Sequence, residues 1–247
     1  MENPRKAFRS NRLPGAAMVL LLANNAAAEI HATLTAMSEY LGKGYSKSSG
    51  HFSSLANLDY ERSSGFYVGG SAAYVNFGDS NYADAARVEI SPYLGWTFTL
   101  SEDWRLDGQW SRYIYDGTIF GFGSDYNEFN LFLHFRDVLS ATVSFSEDYY
   151  HRGHAAASYE ITGRYPITDF LEFSGSVGYT QAKRILTYDY LYWNTGLTCF
   201  YKFVTLDLRY VNALGASRTS ISNSNRESGY SPEPLNPTFF FSISVGF

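Results

Sequence analysis

Residues 86–100 read ARVEISPYLGWTFTL. The even positions are Ala86, Val88, Ile90, Pro92, Leu94, Trp96, Phe98 and Leu100; the odd positions are Arg87, Glu89, Ser91, Tyr93, Gly95, Thr97 and Thr99. Alternation with period two is the signature of a strand with one apolar and one polar face. At about 3.4 Å per residue the segment extends roughly 50 Å, although strands of globular proteins usually run about 5–6 residues. A strand this long, with both charges on one face, separates two media. Pro92 cannot donate to a ladder, so it predicts a local bulge or bend.

The same alternation recurs along the chain. Twelve segments carry it: 30–45, 51–62, 66–77, 86–100, 104–116, 125–136, 138–150, 155–167, 171–183, 189–201, 204–212 and 237–247. Their connections alternate in length. Short ones fall at 63–65, 101–103, 137, 168–170 and 202–203; longer ones at 78–85, 117–124, 151–154, 183–189 and 213–235. Even strand number, with short turns at one end and long loops at the other, is the plan of outer-membrane barrels. The expected fold class is all-β, a transmembrane antiparallel up-and-down β-barrel of about 12 strands spanning residues 29–247.

The first residues read differently. Arg5, Lys6, Arg9 and Arg12 precede an apolar stretch around Met18–Ala23 and the small residues Ala26-Ala27-Ala28. Basic, apolar, then small is the order of a secretory signal peptide, expected over residues 1–28. The apolar stretch is far shorter than the roughly 20 residues a membrane helix needs. Removing its four bases and one acid from the chain's 19 bases and 24 acids leaves 15 against 23, a net −8. An acidic export product without a basic stripe argues against nucleic-acid partners. The only cysteine, Cys199, excludes an internal disulfide framework.

Periodicity alone does not say which face is wet. A lipocalin-like soluble barrel would turn its apolar face inward; a membrane barrel turns it to lipid. The polar face carries charges of both signs in strand interiors, and an Arg or Lys facing lipid would cost about 2–4 kcal/mol at the midplane. Aromatics gather beside the short turns (Tyr60, Phe66, Trp96, Phe98, Trp104, Phe135, Tyr165, Tyr201), where Trp and Tyr suit the headgroup level. The apolar face is therefore assigned outward. Candidate pore-lining residues are Asp59, Arg87, Glu89, Arg105, Asp107, Glu128, His134, Arg136, Glu160, Arg164, Asp207 and Arg209. The full inward set holds ten acids against five arginines, which predicts a weak preference for cations. Arg112 falls on the outward parity and is tolerable only near an interface.

The stretch Tyr40–Asp79, YLGKGYSKSSGHFSSLANLDYERSSGFYVGGSAAYVNFGD, resembles the opening of the TorF-like family of proteobacterial outer-membrane porins. The elements that carry the resemblance are Tyr40, Gly44 and Ser46, then Ser64-Gly65-Phe66-Tyr67-Val68-Gly69, then Phe77-Gly78-Asp79. Lys43 stands where that family is expected to have arginine. The resemblance implies an outer-membrane barrel and a pore, and implies no substrate or catalytic residue.

Other chemistries find little support. No outward Ser is assigned beside an outward His at the membrane edge, as a lipid hydrolase would need, so no enzyme activity is expected. His151 and His154 in HRGH lack a clear third ligand, and neither a metal nor a cofactor is expected. The expected function is a narrow porin passing small hydrophilic solutes across a Gram-negative outer membrane. The alternative is a non-conducting barrel with surface-binding loops, and segment 213–235 could fold inward to narrow the lumen. Phe239, Phe241, Ile243, Val245 and Phe247 form a lipid-facing stripe on the last strand, and Phe247 is the expected signal for the outer-membrane assembly machinery.

Overall fold

A computed structural model describes residues 28–186, 188–214 and 235–247. All but the last residue of the expected signal peptide, 1–28, and most of segment 213–235 lie outside the described residues. Twelve antiparallel strands close into a barrel. They are β1 (Ala28–Met37), β2 (Ser53–Arg62), β3 (Phe66–Tyr74), β4 (Val88–Thr99), β5 (Trp104–Tyr115) and β6 (Tyr126–Phe135). There follow β7 (Leu139–Ser146), β8 (Ala156–Pro166), β9 (Leu171–Gln181), β10 (Tyr190–Tyr201), β11 (Val204–Leu214) and β12 (Thr238–Gly246). Each strand pairs with its sequence neighbours. β1 closes the ring against β12 through Thr33↔Gly246 to Met37↔Ser242. The closure is reinforced by the Thr35–Ser244 hydroxyl pair at 2.9 Å and by reciprocal backbone bonds between Ala32 and Phe247.

The apolar face points outward, as the charge argument requires. In β4, Glu89 is 1% exposed while its neighbour Ile90 is 49% exposed. Leu94, Trp96 and Phe98 are exposed with it, whereas Ser91 is buried. In β12, Phe239, Phe241, Ile243 and Phe247 are exposed while Ser242 and Ser244 are buried. Polar residues inside and large apolar ones outside invert the order of a water-soluble core. Near the short turns the outer rings also touch one another, as in Phe66–Trp96 and Trp104–Phe135.

Pro92 produces no bulge. β4 keeps one register along β3, and the same register along β5 on either side of the gap left at Ser91 and Pro92. The ladder forgoes pairs there without shifting. Arg112 lies in the long-loop half of β5, paired with Asp125 at 3.7 Å.

Inside, the bulkiest wall side chains stand opposite glycines. The cross-strand pairs are Tyr67↔Gly95, Gly69↔Tyr93, Gly178↔Tyr192 and Gly196↔Arg209. A Cβ on any of these glycines would overlap the partner's side chain. The absent side chain is the room in which the ring or guanidinium lies flat on the wall.

The first expected strand, 30–45, is not continuous. β1 ends at Met37, and the chain then forms a small ribbon in which Leu41–Gly42 pairs with Tyr45–Ser46. Likewise β7 stops at Ser146, and Tyr149–His151 form a tight turn with Tyr150 and His151 at positive φ. Its Tyr149 and Tyr150 join a buried cluster at the long-loop end with Tyr45, Phe77, Tyr115, Ile119, Tyr126 and Tyr190. This cluster, rather than a central apolar layer, is the main core.

Candidate functional site

The ribbon after β1 is the centre of the site. Its tip turns through Lys43 (φ +48°) and Gly44 (φ +83°). Glycine is required at the second position twice over. Its φ lies in the left-handed region, and a Cβ would come within 2.5 Å of the Tyr192 Cβ. The ribbon is braced at its base, where the Lys47 N–H donates to the Tyr40 carbonyl at 2.7 Å and the Tyr40 N–H to Ser48 Oγ at 2.8 Å. From there it reaches across the lumen. The Tyr190 hydroxyl donates to the Lys43 carbonyl at 2.8 Å on β10, while the Lys43 ammonium pairs with Glu128 on β6. The Tyr45 hydroxyl meets those of Tyr149 and Tyr150 at 3.1 and 2.6 Å.

Lys47 is the deeper anchor. Its side chain is 6% exposed, against 25% for Lys43, and its ammonium lies 2.7 Å from Glu89. The Tyr40 and Tyr113 rings face that ammonium at 5.1 and 4.8 Å, a cation–π arrangement. Glu89 also accepts from the Tyr40 and Tyr115 hydroxyls at 2.9 and 2.7 Å. Burial, then the Glu89 charge beside it, pushes the Tyr40 phenol well above its ordinary value, so it stays a donor. Lower on the same side, Asp107 accepts from Tyr67 at 2.6 Å and Thr97 at 2.9 Å, and Asp59 accepts from Tyr93 and Asn57.

The opposite side is open. A cavity of about 250 Å³ runs beneath the ribbon along β8–β12, with Tyr40, Leu41, Lys43 and Gly44 at its roof. Its wall presents Glu160, Arg164, Glu172, Asp207 and Arg209 among Ser, Thr and Asn side chains. Arg209 is held by Asp207 at 2.7 and 2.9 Å, Asn194 and Ser174 at 3.0 Å, and Thr198 at 3.3 Å. In the short turn below, burial raises the Asp137 carboxyl above its ordinary value, against the opposing pull of Arg105 and Arg164.

A family model described as a bacterial protein of unknown function (Gcw_chp) matches residues 23–244. The chain belongs to this family. That match carries a different name from the TorF-like resemblance of the opening motif. No curated protein matches the sequence. Among solved structures, this Gcw_chp chain is similar to the KdgM porin with a TM-score of 0.53 at 9% identity, covering 88% of this chain and 98% of that one. It also matches the NanC porin (TM-score 0.49, 9% identity, 89% and 99% covered). An outer membrane channel from Pseudomonas putida F1 matches with a TM-score of 0.49 at 10% identity, with 94% and 98% covered. The likeness to KdgM shows that the fold is that of an outer-membrane porin barrel.

Of the residues expected to line a pore, Asp59, Glu89, Asp107 and Glu128 lie on the occupied side of the lumen, and Glu160, Arg164, Asp207 and Arg209 line the cavity. Arg105 and His134 face each other across β5 and β6 near the short turns, with the His134 ring stacked on Phe132. Arg87 lies at the long-loop rim, just ahead of β4, with its N–H on the Asp116 carboxylate at 2.7 Å. Arg136 is not in the lumen. It sits in the turn after β6 with φ +48°, its side chain 60% exposed and paired with Asp103 of the neighbouring short turn at 2.8 Å. It was assigned inward by extending the β6 alternation one residue past the strand's end.

Alternation could not reveal Lys43, Lys47 and Tyr40, because they belong to the ribbon rather than the wall. The available signal was Gly42-Lys43-Gly44, two glycines inside an apparent strand. Among the described residues no group of three or more His, Cys, Asp or Glu could hold a metal ion. In HRGH, His151 lies 2.9 Å from Asp148 in an exposed loop.

Proposed function

We propose that this protein is a narrow outer-membrane porin for small hydrophilic solutes, whose aperture is set by the ribbon at residues 41–46. The observation that carries the reading is the charged, hydroxyl-rich cavity inside a closed barrel whose outside is apolar. The TorF-like opening motif points the same way. Twelve strands lie between the roughly eight that side chains fill and the 16–18 that leave an open channel; the occupied and hollow sides of this lumen match that intermediate size.

A weak cation preference follows from how the acids are held. Lys47 and Lys43 pair with Glu89 and Glu128, but the hydrogen bonds to Asp107 and Asp59 come from uncharged donors. Along the cavity, with Lys43 taken by Glu128, the three acids Glu160, Glu172 and Asp207 face the two arginines Arg164 and Arg209. Planar-bilayer recording of refolded protein tests both parts. Steps of ionic conductance are expected, with a reversal potential slightly favouring cations; absence of conductance refutes the pore, and anion preference refutes the charge argument alone.

A second reading, a non-conducting barrel with surface-binding loops, draws on the tyrosine cluster that packs the long-loop end. A silent bilayer, combined with loss of surface binding on trimming 215–234, would favour it. The partners we propose are outer-membrane lipid on the apolar band and the assembly machinery on β12. Deleting Phe247 is expected to lower membrane levels severalfold; unchanged levels in fractionated cells would refute that role.

A further inference from the structure

The two cavity arginines are in unequal states. Arg209 spends its donors within the wall, on Asp207, Asn194, Ser174 and Thr198. Arg164 makes one hydrogen bond among the described residues, to Ser140 Oγ at 3.1 Å. A guanidinium carries five N–H donors, so most of those on Arg164 remain free. Glu172 lines the same cavity and makes no hydrogen bond or ion pair to any described residue. Register fixes their relation. Arg164 stands opposite Ser174 and Pro166 opposite Glu172, which makes Arg164 and Glu172 diagonal neighbours with backbones about 7–8 Å apart. Two opposite charges at that spacing do not close on each other here, although both side chains are long enough to try.

We infer that this pair is a binding station for small zwitterionic solutes of the α-amino-acid class, with the carboxylate on Arg164 and the ammonium on Glu172. A guanidinium takes a carboxylate bidentately, and the free Glu172 carboxylate accepts from an ammonium. The cavity's other charges enforce the choice by repulsion. A simple anion meets Glu160, Glu172 and Asp207; a simple cation meets Lys43, Arg164 and Arg209. A neutral polyol satisfies neither free charge. A cavity of about 250 Å³ gives a single amino acid room beside the pair. The physiological sense of the station rests on the channel reading; the binding itself does not.

The test is calorimetric titration of the refolded full chain in detergent with glycine and, separately, with glycerol, alongside bilayer recording. Millimolar glycine binding without glycerol binding is expected. Arg164→Gln and Glu172→Gln should each weaken it at least tenfold, with folding checked by heat-modifiable gel mobility. If either variant fails to fold, the exchanged pair Arg164→Glu with Glu172→Arg serves instead and should restore binding. Equal heats for glycine and glycerol, or unchanged affinity in the variants, would overturn the station. Conductance without glycine binding removes the station and leaves the channel. Glycine binding without conductance keeps the station and removes the channel.

Discussion

On the β2–β6 side of the lumen every inward carboxylate named above is met by a tyrosine hydroxyl or a lysine, and the ribbon is anchored there through Lys43 and Lys47. On the β8–β12 side the same alternation delivers a guanidinium, carboxylates and short hydroxyls around a cavity. Both sides obey one rule for which residue points inward, yet one is occupied and the other hollow. The rule decides the chemistry of the wall. Occupancy is decided by side-chain length and by what a neighbouring loop inserts. Tyr67 and Tyr93 lie along the wall and reach a carboxylate two strands away, and Tyr115 meets Glu89 directly opposite it, whereas Ser176 and Thr198 reach side chains of the adjacent strand.

That contrast can be broken most severely at Lys47. Lys47→Met leaves Glu89 buried beside neutral donors only, and removing one partner of a buried pair costs about 3–5 kcal/mol. The barrel's unfolding midpoint in urea should fall accordingly, and an unchanged midpoint would mean that Glu89 is not buried in the folded protein. Gly44→Val comes next, because the added carbons meet Tyr192 and the backbone must leave φ +83°. Strain of about 1–3 kcal/mol should displace the ribbon and raise single-channel conductance severalfold; identical conductance would show that the ribbon does not set the aperture. Lys43→Met removes the partly exposed partner of the buried Glu128 carboxylate and should cost about 1–3 kcal/mol, read in the same urea titration. The smallest effect belongs to the hollow side. Ser174→Ala removes one of the bonds to Arg209, the rest persist, and about 0.5–1 kcal/mol is the expected loss.

The barrel was legible because period two, turn lengths and the placement of charges are local properties. Strand number and the outward apolar face follow from them. The ribbon was not legible, because Leu41 and Tyr45 continue the alternation of β1 and disguise the break. Its position depends on Glu89, Glu128 and Tyr192, residues far away in sequence that no local window joins to Lys43 or Lys47. Arg136 failed for a related reason: alternation extends on paper beyond the residue where a turn begins. Pro92 brings no bulge for the opposite reason, since a strand can lose rungs and keep one register on both sides. The charged wall of the cavity was therefore found by parity, while its roof required the folded chain.

The glycine partners of the inward tyrosines have a consequence for how this lumen can change. Any side chain at Gly95 would evict the Tyr67 ring, and with it the hydroxyl that holds Asp107. A steric change at one position thus becomes an electrostatic change on the adjacent strand β5. Gly95 and Tyr67 form one steric unit, and the backbone carbonyl of Gly108 on β5 crowds the same spot, so related sequences are expected to keep this glycine even where the tyrosine is lost.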